Sequence, residues 1–132
     1  MWTFDSYQEA TRRTARNQPA GKPETALAAH GLFDEVNEVL ALRRQLKLAL
    51  AALGLAGEAG EVCDRLKKEI GHGHPEDDEE LTKELGDCLW YNAHLADLRR
   101  IPFNAVPDLN IRKLAARYPG GFSEEKSLNR SE

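Results

Sequence analysis

Cysteine is scarce in this sequence, with Cys63 and Cys88 the two it has. Two thiols cannot build the disulfide framework of a small secreted domain. Each lies inside a helical pattern among apolar neighbours, which predicts small core residues. β-Branched residues are also few: Ile, Val and Thr together fill 12 positions, against 35 for Leu and Ala. Such an excess of unbranched helix formers excludes an all-β fold. No long hydrophobic run occurs. The longest charge-free apolar stretch, 48–57, has ten residues, where a bilayer-spanning helix needs about 20. The start, Met1-Trp2-Thr3-Phe4-Asp5, lacks the basic segment and apolar run of a secretory signal. Positive charge is in deficit, with 18 Lys and Arg against 22 Asp and Glu. That balance argues against a surface built for nucleic-acid backbones. A cytoplasmic protein with neither membrane nor nucleic acid as partner is the expectation.

The chain of 132 residues is 41% hydrophobic, enough for one core. A single domain over 1–132 is expected, with its core at about 4–118 and a polar tail at 119–132. No repeat of solenoid length and no low-complexity tract is present. Apolar spacing predicts helices over 4–16, capped by Asp5 or Ser6, and over 32–50. Gly54, Gly57 and Gly60 then recur every three residues. Each costs roughly 1 kcal/mol relative to alanine in a helix, which predicts a break near Gly54 or a close approach of another backbone. Further helices are expected from about 55 to 70, from Pro75 to Arg100, and from Phe103 or Val106 to Arg117. The loop Gly71-His72-Gly73-His74-Pro75 separates the first two of these. Short breaks between helices favour an all-α, antiparallel bundle of four core helices plus an extra N-terminal helical segment.

Two of these helices carry acids three apart: Glu58-Ala59-Gly60-Glu61 and Glu84-Leu85-Gly86-Asp87. Residues three apart share a helix face. Glu58 borders an apolar arc of Leu55, Ala59, Val62, Cys63, Leu66 and Ile70. Glu84 borders a matching arc of Leu81, Leu85, Cys88, Leu89, Asn92 and Ala96. If both arcs face one core, the four acids meet at its edge. Clustered carboxylates repel unless a cation lies between them, and an all-oxygen donor set suits Mg²⁺ or Mn²⁺ rather than Zn²⁺. Neither acid pair carries the Glu-x-x-His of the di-iron bundles, and the one such string, Glu69-Ile70-Gly71-His72, runs into the glycine loop, which counts against that chemistry. Periodicity alone leaves a second reading open: two amphipathic helices with acids at their wet borders.

The strings Ala52-Leu53-Gly54-Leu55-Ala56-Gly57-Glu58-Ala59-Gly60-Glu61-Val62 and Lys83-Glu84-Leu85-Gly86-Asp87-Cys88-Leu89-Trp90-Tyr91 resemble the MazG-like nucleoside triphosphate pyrophosphohydrolases. That family carries Glu-x-x-Glu, a variable gap, then Glu-x-x-Asp; the gap here is the 22 residues 62–83. Tyr7-Gln8 and the tail from Lys113 to Phe122 resemble its small members too, while residues 17–49 depart from the pattern. The resemblance implies Mg²⁺-dependent hydrolysis of a (deoxy)nucleoside triphosphate to monophosphate and pyrophosphate, in nucleotide-pool housecleaning. It implies Glu58, Glu61, Glu84 and Asp87 as metal ligands, with Glu61 also orienting the attacking water. Asn110, Lys113 and Arg117 are its candidates for phosphate or the metal's surroundings; a solvated basic helix end is the alternative. Lys68 is a further phosphate candidate or a surface lysine, and Tyr91 a base-stacking or bundle aromatic. Trp90, opposite the acid border, is expected at an interface. Related enzymes are dimers or tetramers, so a homo-oligomer is expected. The competing expectation is a non-catalytic oligomeric helical module that binds nucleotides or bridges proteins.

Overall fold

A computed structural model of the protein describes residues 1–15 and 31–121. Four α-helices and no strands make up the described residues: α1 (Phe4–Thr11), α2 (Phe33–His72), α3 (Asp78–Leu98) and α4 (Ala105–Arg117). The all-α expectation holds. Residues 16–30 and most of the expected polar tail lie outside the described residues.

The expected break near Gly54 is absent, and one helix of 40 residues runs through all three glycines. Gly54 has a packing role instead. A Cβ there would lie 2.2 Å from Cε1 of Tyr91, so the glycine admits a tyrosine ring from α3 rather than another backbone. The packing of that ring against α2 offsets the propensity loss. Helix α2 stops at Gly73, whose left-handed backbone (φ 70°) lets its N–H bond the Lys68 carbonyl. Asp77 caps α3, its Oδ1 accepting from the Glu80 N–H at 3.0 Å. That places the helix start at Asp78, three residues beyond the expected Pro75.

Helices α2 and α3 run antiparallel. Three contacts keep one register: Tyr91 over Gly54, Glu58 beside Asp87, and Arg65 Nη2 3.5 Å from Glu80 Oε2. Continuing that register, Leu98 at the end of α3 comes level with residue 47. Residues 33–46 therefore overhang α3 by about 20 Å, at 1.5 Å per helical residue. The same register corrects the reading of the cysteines as core residues. Cys63 is exposed and Cys88 half-buried, and both thiols are free. They sit six residues out of register, about 9 Å along the axis, too far apart to bridge.

Helix α1 is capped by Thr3, not by Asp5 or Ser6. Thr3 Oγ1 accepts from the Ser6 N–H at 3.1 Å, and Ser6 Oγ accepts from the Thr3 N–H at 2.9 Å. It ends at Thr11, short of the expected residue 16, because 12–14 tighten into three-residue turns. That turn brings Thr14 Oγ1 within 2.7 Å of the indole N–H of Trp90. The indole N–H of Trp90 thus has its partner within the chain. The buried Gln8 amide fastens α1 to the rest. Its Nε2 donates to the carbonyls of Ile101 (2.9 Å) and Ala93 (3.4 Å), and its Oε1 accepts from the Phe103 N–H (3.1 Å). Around it lies a small core of Ala93, Ala96 and Phe103, with Tyr7 and Leu89 against it. Helix α4 buries no side chain and makes no substantial packing contact with α2 or α3.

Candidate metal and nucleotide site

The antiparallel register carries the two acid pairs to one place. Glu58 projects from α2, and Glu84 and Asp87 from successive turns of α3. One carboxylate oxygen of each lies within 4.8 Å of the others. Glu58 and Glu84 are half-buried and Asp87 is exposed. Burial pushes the Glu58 carboxyl above its ordinary pKa, and the negative charges of Asp87, Glu61 and Glu84 push it further. The site therefore holds like charges close together at a partly dry edge, which a cation would relieve.

Glu61 stands apart from this triad. It is exposed, and with Glu84 it lines a groove of about 670 Å³ between α2, the 73–77 loop and α3. Gly57 and Gly60 form part of the groove wall, and a Cβ at either would meet nothing within 4 Å. The sequence reading did not single out Asp64, Arg65 and Glu69, which lie with His74 and Asp77 at the far end of this groove. Arg65, Lys68 and Glu69 follow Glu61 at intervals that keep them on one side of α2, a signal the spacing carried. Lys68 lines the groove and is held by Asp64, Nζ to Oδ2 2.6 Å; Lys67 bonds the other oxygen. These two lysines draw the Asp64 carboxyl down to about 2. Arg65 Nε and Glu69 Oε1 are buried with no hydrogen-bond partner among the described residues.

Two more groups border the acids. Tyr7 donates its hydroxyl to the Gly86 carbonyl at 3.4 Å, and burial, then the charge of Asp87, raises its pKa. The Cys88 thiol is raised by burial first and then by Glu58, Asp87 and Glu84. Tyr91, one turn beyond Asp87, lays its ring on Gly54 and meets Trp90 edge-on at 4.9 Å. Asn110, Lys113 and Arg117 are exposed on α4 and are not brought to the groove within this chain.

Comparison with known proteins agrees with this geometry. The family model of the MazG nucleotide pyrophosphohydrolase domain matches residues 46–122, more than half of the chain. The match spans both acid pairs and the register between them. The Gene 37 protein of Mycobacterium phage L5 is 34% identical over 87 residues, covering 63% of this chain and 76% of the phage protein. No solved structure matches. The chain belongs to the MazG nucleotide pyrophosphohydrolase domain family.

Proposed function

We propose that the protein hydrolyses (deoxy)nucleoside triphosphates to the monophosphate and pyrophosphate with Mg²⁺, or Mn²⁺ in its place, as a nucleotide-pool housecleaning enzyme. The observation that carries this reading is the convergence of Glu58, Glu84 and Asp87, from both half-motifs, within 4.8 Å. The donor set fits the ion. Three carboxylates with neither His nor Cys among them are hard oxygen ligands, and their mutual repulsion favours a divalent cation. Once bound, the ion would neutralise phosphate charge and make water more acidic.

The residues divide the remaining work. Glu58, Glu84 and Asp87 hold the cation, and Glu61, on the groove wall, completes the set. Glu61 also orients the water that attacks the α-phosphorus, accepting its proton as the α–β anhydride breaks and pyrophosphate leaves. Lys68 faces the phosphates at the groove. Tyr91, packed one turn from Asp87, borders the base. Asn110, Lys113 and Arg117 reach the phosphates when α4 docks, and the protein acts as a homodimer or homotetramer.

The test is turnover across canonical and damaged dNTPs and NTPs, with phosphate and pyrophosphate resolved. Pyrophosphate release that EDTA and Glu61→Gln both abolish is the expected result. Release of the γ-phosphate alone, or turnover in EDTA, overturns the mechanism. Tight nucleotide binding without turnover assigns the non-catalytic module instead.

A further inference from the structure

The groove beside the acids changes character along its length. The register that sets Glu58 beside Asp87 and Arg65 beside Glu80 also sets Glu61 level with Glu84 and Lys68 level with Asp77. Two acid–acid levels therefore lie at one end. Two cations follow on α2, Arg65 about 6 Å along the axis from Glu61 and Lys68 about 10 Å. Glu61, Glu84, Arg65 and Lys68 all line the groove. Lys68 is already engaged, since Asp64 Oδ2 lies 2.6 Å from its Nζ. Arg65 is less fully used. Its Nη2 stands 3.5 Å from Glu80 Oε2, while Glu80 Oε1 takes Lys83 Nζ at 2.5 Å. The Arg65 Nε is buried with no partner among the described residues, although the side chain as a whole is 27% exposed. A guanidinium carries five N–H donors in a fork that matches phosphate oxygens, and this one has donors unspent. Glu69 lies one turn beyond Arg65 on the same groove. Its carboxylate closes the cationic stretch, which suits a short phosphate chain rather than a longer polyanion.

With the α-phosphorus beside Glu61, the β- and γ-phosphates can lie along the acid levels or along the cations. Repulsion disfavours the first course. We propose that Arg65 binds the β- and γ-phosphates of the substrate, turning its guanidinium from Glu80 toward the groove, so that it distinguishes a triphosphate from a diphosphate and holds the pyrophosphate as it leaves. This rests on the proposed hydrolysis and gives the substrate a direction, phosphates toward the 73–77 loop and base toward Tyr91.

The test is calorimetric titration of inorganic pyrophosphate at saturating Mn²⁺, with circular dichroism and binding of Mn²⁺ alone measured alongside. Arg65→Gln should weaken pyrophosphate binding roughly 10- to 100-fold. Arg65→Lys, which keeps the charge, should lose less. Glu80→Gln is the control, because it breaks the same pair between the helices and leaves Arg65 in place. It should bind pyrophosphate at least as tightly as the wild type. In turnover, Arg65→Gln should lose much of the preference for a dNTP over the matching dNDP. Pyrophosphate binding that Arg65→Gln leaves intact, or that Glu80→Gln weakens equally, overturns the subsite and leaves Arg65 only a link between helices. A wild type that binds pyrophosphate through Arg65 but turns over no nucleotide overturns the hydrolysis and spares the subsite.

Discussion

Gly54→Ala is the change that most directly tests how the site is held. An alanine in a helix interior is normally worth about 1 kcal/mol over glycine. Here its methyl would fall 2.2 Å from Cε1, 2.3 Å from Cζ and 2.7 Å from Oη of Tyr91. These are ring atoms, and the ring also packs on Trp90 at 4.9 Å, so it cannot swing freely. Overpacking of this kind costs about 1–3 kcal/mol. At contacts this short the clash takes the upper part of that range and outweighs the propensity gain, so Gly54→Ala should destabilise by up to about 2 kcal/mol. The site should register the strain too. Gly54 is one turn before Glu58 and Tyr91 one turn after Asp87, so prising the helices apart at this contact widens the acid triad. Urea unfolding of apo protein and Mn²⁺ binding would read the two effects. A double-mutant cycle fixes the cause. In a Tyr91→Ala background the methyl meets no ring, and Gly54→Ala should turn from destabilising to stabilising. If Gly54→Ala stabilises the wild-type chain, or if its effect is the same in both backgrounds, the ring contact does not set the register.

Three further outcomes follow from the same geometry. Gln8→Leu strips partners from the Phe103 N–H and the Ile101 carbonyl in a buried place; it should cost about 2–4 kcal/mol, read as a fall in thermal midpoint. Asp64 should titrate near 2 by carboxyl NMR, and Lys67→Met/Lys68→Met should move it back up toward 3.8. Because its folded pKa is depressed, its contribution to stability is present above about pH 4 and is lost as pH falls toward 2; a shallower acid limb in Asp64→Asn than in the wild type checks the assignment. Mg²⁺ at about a hundred times its dissociation constant should stabilise the fold by roughly 2.7 kcal/mol, and Glu58→Gln/Asp87→Asn should abolish that gain in thermal-shift measurements.

The helical class and the acid convergence were legible because both rest on local periodicity. Glu58 and Glu84 border apolar arcs expected to face one core and Asp87 follows Glu84 by three, so these three meet where the helices meet, while Glu61, further round α2, does not join them. The continuity of α2 was not legible. Glycine propensity is a local quantity, and the Tyr91 ring that makes Gly54 favourable comes from 37 residues further on. Cys63 was misplaced for a related reason. The apolar arc of α2 is wider than the strip that α3 covers, and a periodic pattern cannot tell which part of an arc receives the partner. Trp90 was read outward because it lies opposite the acid border of α3, and that pattern says nothing of α1. Its turn at 12–14 supplies the hydroxyl that the indole needs. The placement of α4 was also beyond reach of the sequence. Its face of Asn110, Lys113 and Arg117 marks a side, and a side alone does not say what packs there.

Splitting the site between two antiparallel helices gives it a consequence that a single-helix motif would not have. Within one helix, Glu58 and Glu61 repel at a spacing that the backbone fixes. Across the interface, repulsion between Glu58 and the Glu84–Asp87 pair acts to separate α2 from α3. Two features oppose it along the register: the Tyr91–Gly54 contact on one side and the Arg65–Glu80 pair on the other. A cation among the acids would turn the same charges from a wedge into a clasp. Metal affinity and helix packing are then one coupled equilibrium. Any substitution that loosens the register, however far from the carboxylates, must weaken metal binding, and metal must in turn tighten the packing. The coupling also explains why small residues at Gly54, Gly57 and Gly60 are tolerated in so long a helix. Gly54 lets the helices close, while Gly57 and Gly60 keep the groove beside the acids open.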